Sequence, residues 1–107
     1  MIQANVAIVG GRPGTTYEDD STDASQALAA AKLATAGSHP KKCNAVMITI
    51  ENNGIRYAFG TDPTTSFGHL AEDGAIIKLN SWKSAKDFRF ISSVAGNHAK
   101  MFITVGW

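Results

Sequence analysis

Few residues in this chain have the types and spacing that catalysis or ligand binding would need, and each such group has a structural reading beside its chemical one. The segment GGRPGTT, residues 10 to 16, could aim backbone N–H groups at a phosphate, but it lacks the lysine and the spacing of a P-loop. It reads as a surface loop. Glu18, Asp19 and Asp20, with Asp23 close by, offer oxygen ligands of the kind Ca²⁺ accepts, yet they do not follow the alternating acidic pattern of a calcium loop. Adjacent carboxylates of this kind read as a solvated turn.

His39, His69 and His98 stand about thirty residues apart, so a histidine-based metal or catalytic site requires the fold to gather them. Ser, His and Asp are all present without a G-x-S-x-G nucleophile context, and no pair of carboxylates lies in an apolar setting that would separate their pKa values. The sequence therefore predicts no catalytic residue, no metal site and no cofactor. Cys43 is the single cysteine, which excludes an internal disulfide and suits a small residue at the entry to a strand.

Two large side chains invite a binding role. Trp82, in NSWKSAKD, places an aromatic in a polar connection beside Lys83 and Lys86. It serves either as a partner anchor or sugar-stacking ring, or as a plug folded onto one end of the core. Arg56 is the second candidate contact, because arginines and aromatics carry much of the energy of protein interfaces.

The elements that must position these residues are strands. A chain of 107 residues is one domain, 1–107, with a modest core. In AVMITIE, Val46, Ile48 and Ile50 alternate with Met47, Thr49 and Glu51, the period of a strand with one buried face. Asn52-Asn53-Gly54 follows, then Ile55, Tyr57 and Phe59 alternate with Arg56 and Ala58. The Asn-Gly pair predicts a β-hairpin over residues 45 to 59 closed by a type I′ turn. DFRFISSV (87 to 94) and AKMFITVGW (99 to 107) alternate in the same way, and turn signals recur every eight to twelve residues. The fold class is mainly β: a single antiparallel β-sandwich or jelly-roll-like domain. Polar loops are expected at 10–22, 60–68 and 80–87, and a less regular N-terminal segment over 1–40.

Within that segment, DASQALAAAKLATAG has helical composition, with Asp23 as a candidate N-cap and Gly37 as a stop. Its larger apolar residues are only Leu28 and Leu33, so a helix over 24–36 would gain little from packing. Ten Lys and Arg against nine Asp and Glu leave a net charge of +1, with both signs scattered along the chain, and Lys41-Lys42 is too small a patch to predict nucleic-acid binding. No apolar run approaches the ~18 residues of a membrane span.

Three blocks in order carry a resemblance: AVMITIENNGIRYAFGTDPTTSFGHLAEDGAIIKLNSW, then AKDFRFISSV, then AKMFITVGW. Together they resemble a group of small β-sandwich proteins encoded among the virion genes of tailed bacteriophages, over about residues 32 to 105. The resemblance implies a non-enzymatic capsid decoration or cement protein with a jelly-roll-like fold. Such a protein is made in the host cytoplasm and located in the virion. Its partners are the major capsid protein or other virion proteins, and it is a homo-oligomer. The resemblance also implies that 24–36 is extended with a turn. The chain departs from the pattern in the acidic stretch near residue 20 and in its Gly106-Trp107 ending. A carbohydrate-binding β-sandwich, with Trp82, Tyr57 or Trp107 stacking on sugar rings, is the alternative from a different class. A small enzyme built from the dispersed histidines is the third.

Overall fold

Alternation of apolar residues builds most of this fold, and the computed structural model, which describes residues 13–107, shows how the strands pair. The order is β1 (Pro13–Asp20), β2 (Gln26–Ala27), α1 (Ala30–Leu33), β3 (Ala45–Glu51), β4 (Ile55–Phe59), β5 (His69–Ala71), β6 (Ile76–Leu79), α2 (Trp82–Asp87), β7 (Phe88–Ser92) and β8 (Lys100–Gly106). One sheet runs β1-β8-β3-β6 and the other β2-β7-β4-β5. Every pairing is antiparallel: β1 with β8, β2 with β7, β3 with β6 and β4 with β5, plus β3 with β8 and β4 with β7. The first four strands thus pair with the last four in reverse order, as in a long two-stranded ribbon rolled up on itself. That connectivity makes the domain a jelly roll.

The inward residues are those the alternation marks. Val46, Ile48 and Ile50 of β3 face the core with Met101, Ile103 and Val105 of β8, and Phe88 and Phe90 of β7 face them from the other sheet with Ile55 of β4. Each such side chain contributes about 1.5–3 kcal/mol by leaving water. Cys43 is buried just ahead of β3, and burial pushes its thiol pKa up, so it acts as a small apolar residue.

The expected hairpin over 45–59 does not form. β3 and β4 lie in different sheets, and residues 52–54 carry the chain across the sandwich. A type I′ turn needs positive φ at both central residues, whereas here Asn52 alone takes the left-handed conformation, at φ 75°. Gly54 is required for space: a Cβ there would stand 3.0 Å from the Ala71 carbonyl oxygen and 3.0 Å from Ser93 Oγ.

Two of the expected polar loops are regular structure. Residues 13–20 form an edge strand along β8, while 10–12 and the rest of the first twelve residues lie outside the described residues. Residues 82–87 form a short helix whose N-cap, Ser81, accepts a hydrogen bond from the Ser84 amide. The stretch 24–36 is extended with one helical turn: β2 pairs with β7, Ala30–Leu33 makes the turn, and Ala34 bridges to Lys42. Leu28 and Leu33 are both buried, and Asp23 caps no helix but accepts a hydrogen bond from the Gly96 amide.

Candidate functional site

The site is built where β4 leaves its sheet and the chain returns as β5. Gly60 turns in the left-handed region at φ 71°, and its amide donates to the Asp87 carbonyl. Pro63 is buried, while Thr64 and Phe67 close a tight turn through reciprocal backbone bonds of 2.9 and 3.3 Å. Asp62 accepts from the Ser25 hydroxyl at 3.0 Å, tying the loop to the segment ahead of β2. Gly68 sits at φ 124°, where a Cβ would stand 2.9 Å from the Tyr57 carbonyl oxygen, so only glycine fits.

Arg56 holds this loop from below. Its Nε donates to the Thr65 carbonyl at 3.0 Å and its Nη1 to the Gly68 carbonyl at 2.9 Å. A planar fork of donors matches two carbonyls held at fixed spacing. The candidate partner contact is therefore engaged inside its own chain, as the clamp of the 60–68 loop.

What the clamped loop displays is apolar. Phe59, Phe67, Leu70 and Ile76 are 44, 55, 50 and 62 % exposed, and all lie between β4 and β6. β5 and β6 are edge strands of different sheets joined by the short turn 72–75; Ala71 and Ile77 face the core, so Leu70 and Ile76 point outward from opposite sheets. A concavity of about 450 Å³ is lined by Ala58, Phe59, Thr61, Phe67, Gly68 and His69. A chain of ring contacts anchors it to the core: Phe90 to Phe88 at 5.9 Å, Phe88 stacked on Tyr57 at 5.4 Å and edge-on to Phe59 at 5.8 Å, and Tyr57 to His69 at 5.2 Å. Such ring pairs add about 0.5–1.5 kcal/mol each beyond burial and hold the cleft walls in place.

The other sequence-marked residues lie apart from this flank. Trp82 opens α2, is half-buried and packs against the core, with Lys42 Nζ 5.3 Å from its ring centroid; it plugs one end of the sandwich. Trp107 is half-buried over Gly14, where a Cβ would lie 2.5 Å from the indole Nε1. It borders a smaller concavity of about 150 Å³ with Tyr17 and Lys32. Burial, then the charge of Asp19, pushes the Tyr17 phenol up to about 12, so it remains protonated at neutral pH.

The three histidines are not gathered. His39 lies in the connection from α1 to β3, His69 begins β5, and His98 stands beyond β7 at 3.4 Å from Asp23. Among the described residues no group of three or more His, Cys, Asp and Glu side chains converges as a metal cage. Glu18, Asp19 and Asp20 lie along edge strand β1, the first of them 4.0 Å from Lys100. Among the described residues no helix is long and apolar enough to cross a membrane.

The exposed flank was missed by sequence reasoning. Its one visible signal is Phe67, a large aromatic in the otherwise polar run TDPTTSFG. No family model, curated protein or solved structure matches the chain.

Proposed function

We propose that this chain is a non-enzymatic structural virion protein that attaches in several copies to the capsid shell of a tailed bacteriophage, with the major capsid protein as its partner. One observation carries the reading: Phe59, Phe67 and Leu70, large apolar side chains that remain exposed, stand on or beside the clamped 60–68 loop. Phe59 and Phe67 wall one concavity, exposed apolar surface of that kind marks interaction sites, and a pre-ordered loop loses little entropy on docking. The phage-like order of the sequence blocks supplies the kind of partner. Trp82 and Arg56 then act indirectly, the first by closing the core and the second by holding the loop. Co-sedimentation with purified shells tests this. The wild-type chain pellets with shells in fixed ratio and Phe67→Ser/Leu70→Ser does not, whereas a wild-type chain that stays in the supernatant contradicts the reading.

A second reading is favoured by the aromatic cleft. A concavity walled by Phe59, Phe67 and His69 has the rings and the edge polarity to hold a sugar, in a carbohydrate-binding module of a head fibre or tail. Binding to a glycan array that Phe59→Ala abolishes, without pelleting on shells, would favour it over attachment.

A further inference from the structure

Charges that look scattered along the sequence are sorted by the fold to opposite ends of the strands. At one end, where Glu51 pairs with Lys100 and Ile55 with Ser92, the turns and strand termini carry Asp20, Asp23, Glu51, Glu72 and Asp73, all exposed. The cations there are Lys100, beside Glu18, and His98, beside Asp23 when it is protonated. At the other end, where Ala45 pairs with Gly106 and Phe59 with Phe88, α1, α2 and the 34–44 connection carry Lys32, Lys41, Lys42, Lys83 and Lys86, all exposed. Of the acidic residues at that end, Asp87 is bound to Lys83 at 2.7 Å and Asp62 to Ser25.

Seven residues of β3 separate the two ends by about 20 Å, more than twice the ~8 Å screening length of physiological salt. Each end therefore acts on a neighbour by its own charge. With a net charge of only +1, copies are not held apart by bulk repulsion. A polyanion would use the basic end and leave the acidic end without a role. A second copy of this chain uses both.

We infer that copies of this chain associate head to tail, the basic end of one (Lys41, Lys42, Lys86) against the acidic end of the next (Asp23, Glu51, Glu72, Asp73). The contact is heterologous, so it closes a ring where the rotation between copies permits and extends as a filament where it does not. Charge steers and orients such a contact more than it tightens it. The inference concerns the isolated chain and does not rest on attachment to a shell.

Sedimentation velocity on the full chain tests it. In about 20 mM salt the wild type forms species larger than a monomer as concentration rises, and at about 500 mM the association weakens tenfold or more. Lys41→Glu/Lys86→Glu and Glu72→Lys/Asp73→Lys, each checked for native circular dichroism, are each monomeric alone. Mixed, they associate again, because each then presents the charge the other lacks. A wild type that remains monomeric in low salt at about 1 mM, a contact that charge reversal leaves unchanged, or reversed variants that fail to associate when mixed would each overturn the inference.

Discussion

The hydroxyl of Ser21 lies 2.7 Å from the hydroxyl of Ser92, although 71 positions separate them in the chain, and neither side chain is exposed to solvent. The pair sits where β1 has just ended and β7 is ending. Ser21 Oγ also accepts the Ala99 amide at 2.7 Å, its own amide donates to the Ala99 carbonyl, and the Ser92 amide donates to the Thr22 carbonyl. One buried polar node therefore ties together two of the crossings between sheets at this end, 21–25 and 93–99.

Ser21→Ala should destabilise the domain by about 1–3 kcal/mol, because it leaves the Ala99 amide and the Ser92 hydroxyl buried without this partner. The double variant with Ser92→Ala should cost less than the sum of the single changes, since both remove the same bond. Urea midpoints at unchanged m-value check both statements.

Gly54 should tolerate no side chain, for steric reasons. Gly54→Val brings branched carbons against the Ala71 carbonyl and Ser93 Oγ and should cost about 1–3 kcal/mol. Asn52→Gly, by contrast, relieves a left-handed conformation and should leave the urea midpoint equal or raised. The reverse ranking of the two variants would contradict the crossing geometry.

Alkaline stability should report on Tyr17. Its pKa rises from 10.0 to about 12 on folding, so the folded state holds this proton more tightly than the unfolded chain. The contribution is fully present below pH 10 and is lost as pH rises through about 12. Wild type minus Tyr17→Phe, compared by denaturation at intervals across that window, should show the loss, and identical slopes would refute the burial of this phenol.

Arg56→Lys should loosen the 60–68 loop while leaving the fold intact, because an ammonium cannot span the Thr65 and Gly68 carbonyls as the guanidinium does. Faster amide exchange confined to residues 64–68, with an unchanged exchange rate in β3 and β8, is the expected readout.

Much of this fold was legible where one face of a strand is buried. Val46, Ile48 and Ile50, and again Met101, Ile103 and Val105, alternate because their neighbours face outward, and period alone locates β3 and β8. Edge strand β1 was not legible, since TTYEDD has no apolar alternation and becomes a strand only because β8 offers it a ladder. Local turn chemistry could not distinguish a hairpin from a crossing between sheets, as Asn52-Asn53-Gly54 serves either. The helix at 82–87 was hidden in a short polar run, with Ser81 as its only start signal. Phe59, Leu70 and Ile76 look like ordinary core residues in the sequence, and only Phe67 stands out, in a polar run. Leu70 and Ile76 are exposed because Ala71 and Ile77 beside them take the core-facing positions, while Phe59 ends β4 and Phe67 stands in the loop after it.

A reconstruction of the intact particle tests the central proposal most directly. It predicts ordered density for units of 11.3 kDa on the outer shell, each a two-sheet sandwich with the flank bearing Phe59, Phe67 and Leu70 turned toward the capsid protein. A shell without such density, or units docked with that flank facing solvent, would contradict it.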